Sequence, residues 1–563
     1  MKRAISLLLV FALAACVFAG CRKEPAVDNT TPSTQPTESV GPNVDINVGD
    51  VNSETPMYMQ WIGDAAAFEN PHGEVESLYP YMIFDRLSEV NVKTGVRYWC
   101  LAENIEISQD LKVATITLRE NAKWHDGQNV TVEDVVFSIY AALLNPDSVL
   151  QNIFMNLAGA LAVANGETDT IQGIAVEGNV MTLTFMSANA TMIDDLSKLA
   201  ILPKHCFPEN VDYTVLDTYD YWKQPIGSGA YKITEVTFGD NFKLTRFDDY
   251  WGAKPGIKNV VYKHYDSTDA GAAAVVGNEL DFATSHLIAD SAAMKSFTEK
   301  NASVKPIVTA SYNYSSFRFM LEEEDDAAEK SILMDAEVRL AIDLIIDNDA
   351  LAAVYGDLAK STYVLHNPES PSYPADLTRE SQNIEKALEI LNRKGWNFED
   401  ELVICYTDNE QPVHDLMQQV QQNLEDAGLV CTVHCAINPS TDTVYTEKNY
   451  DLLFVTGEST ASDPAARYFY LTTLTKTTIG AEDKRKNRGY DATYNSYIAS
   501  VGDERIGYAH QLMKLNFEDS FEIPCFVLNS CVVYNSAKIY VPETVFQLDG
   551  TTHMEWENWR VLS

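Results

Sequence analysis

The chain carries little positive charge: 41 Lys and Arg stand against 81 Asp and Glu over 563 residues, a formal net charge of −40. Binding to a phosphate backbone depends on a basic surface, so nucleic acid is excluded as the leading partner. The same excess favours solubility and disfavours anionic membrane surfaces. The sequence has no CxxC pair, no His-x-x-x-His and no HExxH, and no Ser-His-Asp ordering marks a hydrolase. No segment reaches the roughly 20 apolar residues of a spanning helix. No metal, cofactor or enzymatic role is implied. What is present is 46% hydrophobic and 10% aromatic residues, including 28 Tyr and 8 Trp, too many for a disordered acidic chain. At about 100–200 residues per domain, this length allows one large two-lobed protein or three to four small domains, with a substantial core.

The N-terminus sets the compartment. Lys2 and Arg3 precede an apolar run, Ala4 to Ala19, that ends at Gly20-Cys21. A basic start, a short apolar stretch and small residues before a cleavage point describe a secretory signal over residues 1–20. A cysteine after small residues resembles a bacterial lipobox, whose thiol receives lipid. Leu13-Ala14-Ala15-Cys16 is nearer the usual pattern, but cleavage there leaves Val17-Phe18-Ala19 exposed. Polar sequence begins directly after Cys21, which is therefore the preferred lipidation site, with Cys16 the alternative. Residues 21–50, rich in Thr, Pro, Ser, Asn and Asp, have the composition of a flexible tether. An anchor and a tether hold a folded body close to a membrane, an arrangement suited to capture and delivery.

Seven further cysteines, Cys100, Cys206, Cys405, Cys431, Cys435, Cys525 and Cys531, cannot all pair internally. Cys431 and Cys435 share strand parity with Val433 and are expected to face a core as small apolar residues. A Cys525–Cys531 bridge is an open alternative.

Strands and helices are mixed along the body. Alternation predicts strands over Lys112 to Leu118 and Val180 to Phe185, and a hairpin from Ala230–Val236 and Asn241–Phe247. Thr131 and Asp134 resemble a capping box, with Asp where Glu is more usual, before the apolar stripe Val132, Val135, Val136, Ile139, Leu143. Further stripes follow Asp335 (Val338, Ala341, Ile342, Ile345), run from Ile384 to a C-cap at Gly395, and run from Val413 to Leu424 before Gly428. The acidic run Glu322 to Asp326 reads as a solvated loop rather than a calcium site.

Three stretches carry a family resemblance. The first is Leu101-Ala102-Glu103-Asn104 followed by Leu118-Arg119-Glu120-Asn121-Ala122-Lys123-Trp124-His125-Asp126-Gly127 and the Thr131 helix. The second is Pro225-Ile226-Gly227-Ser228-Gly229-Ala230-Tyr231, then Asp249-Tyr250-Trp251-Gly252. The third is Asp335-Ala336-Glu337-Val338-Arg339-Leu340-Ala341-Ile342-Asp343. In this order, from about residue 55 to the end, the chain resembles the extracytoplasmic solute-binding proteins of ABC importers, family 5, which bind oligopeptides, dipeptides or nickel. Within these blocks, Trp124 is expected in the core and His125 in a turn rather than in catalysis. Gly227-Ser228-Gly229 lacks the Lys and helix of a P-loop and the spacing of a nucleophile elbow. Its glycines are expected to permit a tight turn at a domain crossover.

The resemblance implies an α/β fold, a two-lobed periplasmic-binding-protein-like clamp of class II type with an extra α+β domain inserted in the first lobe. Lobe I would comprise residues 51–92, 200–308 and 532–563, the extra domain 93–199 and lobe II 309–531. A ligand would sit between the lobes and select the closed state. Peptide-binding relatives hold the ligand's α-amino group with an aspartate in a segment resembling Gly-Trp-x-Ala-Asp-Tyr-x-x-Pro. The matching stretch, Gly457 to Pro464, puts Glu458 at the tryptophan and Ala461 at the aspartate, with one residue deleted. Asp463 or Glu458 would have to serve instead, with Ser459 between them. Arg467, with Tyr468 and Tyr470, and Arg318, between Phe317 and Phe319 near the expected crossover, are candidates for a ligand carboxylate. Trp61, Phe68 and Glu69 fall where relatives line the cleft. The expected role is delivery of a peptide or peptide-like solute to an ABC permease and ATPase by a monomer on the outer face of the bacterial membrane or in the periplasm. Oligosaccharide or nickel-chelate binding, or peptide sensing without transport, are the alternatives.

Overall fold

The computed structural model of the chain describes residues 53–62, 66–73, 75, 77–91, 96–285, 291–309, 313–321, 332–364, 366, 373–374, 376–379, 382–409, 411–439, 441–459, 489–542 and 552–562. The lipobox cysteines, the tether, the acidic run 322–326 and residues 463, 467, 468 and 470 lie outside them.

Three sheets organise the described residues. The first has seven strands in the order Val304–Thr309, Ser530–Asn535, Phe282–Ser285, Met57–Trp61, Asn259–His264, Asn241–Arg246, Tyr231–Thr237. The second has six, in the order Ala359–Ser361, Glu522–Leu528, Asn313–Phe319, Leu452–Ser459, Glu401–Tyr406, Val430–Cys435. A four-stranded antiparallel sheet is built from Ala102–Ile107, Val113–Leu118, Val180–Thr184 and Ile174–Glu177. Each sheet packs on its own apolar cluster: around Trp61, Tyr79 and Trp559 in the first, Phe317, Ile342 and Leu416 in the second, and Trp124, Ile139 and Leu183 in the third.

Local sequence explains most of these elements. The capping box closes as the Thr131 N–H donates to Asp134 Oδ2 at 2.9 Å, and the helix runs Val132–Leu144. Asp in place of Glu has a tertiary reason. The buried Asp134 carboxylate also accepts from the Trp124 indole at 3.4 Å and the Lys204 N–H at 2.9 Å, tying the turn, the helix and the short 3-10 helix Lys204–Cys206 together. Asp335 and Asn383 cap Ala336–Ile345 and Ile384–Lys394 through side-chain oxygens. Gly395, at φ +80°, adopts the left-handed conformation that ends a helix.

The chain passes between the first and second sheets at two places that lie side by side. Val304–Thr309 leads into Asn313–Phe319, and Glu522–Leu528 leads into Ser530–Asn535. Thr309 pairs with Ser530 in the first sheet and Tyr314 with Val527 in the second. Two antiparallel strands thus run through both sheets and join the lobes. The Ser530–Asn535 strand begins two residues before the expected return to lobe I at 532.

Cys525 and Cys531 lie on either side of this crossing and are both free and buried, so the Cys525–Cys531 bridge does not form. They are small apolar side chains in two different sheets. Cys431 is buried and Cys435 half-buried, both against the second core.

Candidate functional site

Strand register locates the rims of the cleft. In the first sheet Met57–Trp61 is parallel to Asn259–His264 and to Phe282–Ser285, and Ser285 pairs with Cys531 beside the crossing. The carboxyl ends of these strands, at Trp61, His264 and Ser285, therefore point to the crossover edge. In the second sheet Asn313, the first residue after the other crossing, pairs with Ser459. Leu452–Ser459, Glu401–Tyr406 and Val430–Cys435 are mutually parallel, so all three run towards that edge; Ser459 reaches it, whereas Tyr406, level with Phe454 and Phe317, and Cys435 beside it stop about four strand steps short. Ligands of open α/β sheets bind outside the carboxyl ends of the parallel strands. Here two such edges flank one pair of crossing strands.

The lobe I rim is an aromatic stack. Trp61 is fully buried, stacked on Phe68 with ring centroids 6.2 Å apart and edge-on to Phe242 and His264 at 5.2 Å each. Phe68 is also buried and meets Tyr79 at 5.5 Å and Phe238 at 5.9 Å. Phe238, at the turn between Tyr231–Thr237 and Asn241–Arg246, is 37% exposed. Glu69 is half-buried. Its N–H donates to the Tyr79 hydroxyl at 2.8 Å, and that hydroxyl donates to Glu69 Oε2 at 3.2 Å. Trp61 and Phe68 thus support this rim from inside, whereas Glu69 and Phe238 reach its surface.

The lobe II rim is polar. Glu458 and Ser459 close the Leu452–Ser459 strand beside the crossing. Tyr406 and His414 are joined through the phenol oxygen and Nδ1 at 2.7 Å, and His414 Nε2 meets Asn409 Oδ1 at 3.1 Å. His414 donates to the amide oxygen from Nε2, so its Nδ1 accepts from Tyr406. His434 Nε2 lies 2.8 Å from Asp442 Oδ2. The Tyr445 N–H first, and His434 second, hold the Asp442 carboxyl below its usual range. Asp463 and Arg467 lie outside the described residues.

Arg318 is placed elsewhere. It stands five strand steps beyond Asn313, about 17 Å from the crossover edge. Its Nε lies 3.3 Å from Oε1 of the buried Glu522, which Ser316 also contacts. Arg318 thus pairs with Glu522 within lobe II, level with Cys405 near the end of the Glu401–Tyr406 strand; a partner 204 residues away leaves no local signal.

The family blocks resolve into long-range supports. His125 Nδ1 accepts from the Gly227 N–H at 3.0 Å and Nε2 donates to the Gly229 carbonyl at 3.0 Å. Burial pushes this imidazole down to about 4, so it stays neutral. The chain bends at residues 228–230, and the glycines there have a further reason. A Cβ on Gly227 would lie 1.9 Å from the Ile83 carbonyl oxygen, and one on Gly229 2.5 Å from that of Met82. They are required by close backbone approach, which sequence spacing does not reveal. Tyr250 and Trp251 donate to buried Asp85 at 3.0 and 2.7 Å, and burial raises this carboxyl to about 7. Arg339 is buried and donates to the carbonyls of Leu333, Asp519 and Ser520, pinning the third block to the C-terminal end of the helix Gly502–Asp519 that precedes the strand Glu522–Leu528.

Comparison with known proteins agrees with this architecture. The model for bacterial extracellular solute-binding proteins, family 5 Middle, matches residues 98–480, more than half of the chain. Oligopeptide-binding protein AppA of Bacillus subtilis (strain 168) is 25% identical over 328 residues, covering 56% of this chain and 54% of that protein. The dipeptide-binding protein of Escherichia coli (strain K12) is 25% identical over 332 residues, 56% of this chain and 58% of the relative. The match thus spans little more than half the length of these relatives. Among solved structures, AppA from Clostridium difficile gives a TM-score of 0.74 at 18% identity, over 90% of this chain and 100% of that one. CtaP from Listeria monocytogenes gives 0.70 at 20% identity, over 89% and 99%. With the two-lobed fold shared across these structures and the family model covering both lobes, the chain belongs to the bacterial extracellular solute-binding proteins of family 5.

Proposed function

We propose that this protein captures a peptide or peptide-like solute between its two lobes and delivers it to an ABC permease and ATPase. The observation that carries the reading is the pair of strand-end rims flanking two crossing strands. That geometry lets one lobe rotate on the other about a short ribbon, and a ligand touching both rims favours the closed state. Two curated relatives are named for oligopeptide and dipeptide binding, which supports a peptide as the solute. Glu69 from lobe I and Glu458, Ser459, Asp463 and Arg467 from lobe II are the proposed ligand contacts, with Trp61 and Phe68 supporting them.

The proposed division is a lobe I of residues 51–92, 200–308 and 532–563, an extra domain of 93–199 and a lobe II of 309–531. Distinct apolar clusters under the three sheets support three folding units. The proposed protein acts as a monomer, tethered by residues 21–50 from a lipid on Cys21, or on Cys16, to the outer face of the cell membrane. Among the described residues no helix is long and apolar enough to cross a membrane.

Mass spectrometry of small molecules released by denaturing freshly purified protein tests the reading. A ladder of short peptides is the expected result. Recovery of sugars or of a nickel chelate in place of peptides would overturn the peptide assignment.

A further inference from the structure

The seam between the first sheet and the four-stranded sheet holds a buried charge without an ion pair. Arg86 follows the short helix Tyr79–Ile83, and its backbone bridges to that of Ala200. The segment leading into the four-stranded sheet thus lies against the segment returning from it. Arg86 is 2% exposed, and its Nε and Nη1 are sealed from solvent with no hydrogen-bond partner among the described residues. The guanidinium lies over the Tyr81 ring, 4.5 Å from its centroid. A ring face attracts a cation but offsets only part of the cost of burying one. The adjacent carboxylate, Asp85, is committed to Tyr250 and Trp251. Burial raises it to about 7, so near neutral pH it supplies only part of a countercharge.

A second orphan atom meets the first at Ala200. His72 is fully buried, and its Nε2 donates to the Ala200 carbonyl at 2.7 Å. Burial, with the nearby Arg86 charge adding to it, keeps this imidazole neutral. Its Nδ1 is then an acceptor, and it too has no partner among the described residues. One water can accept from Arg86 and donate to Nδ1, but it leaves the charge uncompensated in a low dielectric. An anion accompanied by a water meets every requirement: the anion takes the guanidinium, and the water donates to Nδ1 and to the anion. From this juxtaposition we infer that a small inorganic anion binds inside the seam against Arg86, with His72 holding the water beside it. The site suits a halide-sized ion, since both side chains are closed off from solvent. It joins the first sheet to the four-stranded sheet and stands whichever solute the cleft takes.

The test is urea unfolding of the full chain at constant ionic strength, with chloride as the probe and gluconate as its replacement. An ion bound only by the folded chain lowers the unfolding constant by mass action, on the order of tenfold in wild type at about 100 mM chloride relative to gluconate. In Arg86→Met, which keeps the length of the side chain without its charge, the two salts should agree to within about twofold. Crystals grown in bromide give a second readout, an anomalous peak beside the guanidinium. Wild-type unfolding indifferent to the anion, a chloride response that Arg86→Met retains, or a water in place of bromide at Arg86 would overturn the inference. Should Arg86→Met fail to fold, the bromide peak decides alone.

Discussion

The two rims that face the crossing strands are held in place by different forces. On lobe I the rim is dry: Trp61, Phe68 and Phe242 are buried, and position is set by ring packing. On lobe II, where the shorter strands stop before the crossing, the groups are polar: Tyr406, His414 and Asn409 form a chain of hydrogen bonds beside half-buried Cys435 and the His434–Asp442 pair. Packing of rings is stiff and costly to disturb, whereas a partly exposed hydrogen-bond chain is cheap to rearrange because water replaces each partner. The contrast assigns the lobes different tasks. The expectation is that lobe I presents a fixed surface and that the lobe II hydrogen-bond chain is the part that rearranges.

The largest blow to this contrast is Trp61→Ala. It removes a fully buried indole from the lobe I column and is expected to cost about 3–5 kcal/mol in urea unfolding, with loss of ligand binding. An effect below about 1 kcal/mol would show that the aromatic rim is not load sharing. Next comes Arg318→Ala in lobe II, which removes the guanidinium paired with buried Glu522 and should cost about 3 kcal/mol. Because Arg318 lies far from the crossover edge, this variant should keep its ligand affinity once folded, and a selective loss of affinity would restore Arg318 to the site.

The pH response should map to lobe I and its neighbouring sheet. Glu557 and Glu89 flank the half-buried His553 imidazole, at 3.6 and 2.8 Å, and raise it to about 10 against the opposing effect of burial. A raised folded value contributes stability in full below about pH 6.5, and that contribution is lost as pH rises through about 10. His72 and His125 behave oppositely. Burial lowers both to about 4, so the unfolded chain takes up protons first and stability falls as pH drops from about 6.5 toward 4. Urea unfolding across this range should show decline on both sides, and His553→Gln should remove the alkaline arm alone. The smallest expected effect is Tyr406→Phe, about 1 kcal/mol, because the phenol it removes is the end of a partly solvated chain. A much larger cost would mean that the lobe II rim is as rigid as that of lobe I.

What the sequence could reveal followed the range of the interaction. The Thr131–Asp134 box, the Asp335 and Asn383 caps and the Gly395 terminus are local, and spacing alone exposes them. The role of Asp134 beyond its own helix was hidden, since Trp124 and Lys204 reach it from separate parts of the chain. Gly227 and Gly229 looked like turn residues, yet they are demanded by the backbone at Met82 and Ile83, more than 140 positions earlier. His125 and Arg318 share this history. His125 was expected in a turn and Arg318 at a ligand carboxylate, and neither spacing revealed the partners about 100 and 204 residues away. Glu69 was identified only by resemblance; the hydroxyl of Tyr79 that orients it gave no sequence signal, and neither did Phe238 at the hairpin tip.

The Ser530–Asn535 strand lies between Val304–Thr309 and Phe282–Ser285, inside the first sheet rather than at its edge. That sheet begins with Met57–Trp61, so its assembly spans nearly the entire polypeptide and must wait for the last segment to be made. A ribosome-bound chain of any shorter length has a seven-stranded sheet with a gap in it. Such late closure slows folding, because the entropy of a very long loop is spent before its contacts form. If the first 20 residues act as the expected export signal, the same delay would keep the first sheet unlocked until the C-terminal end is made.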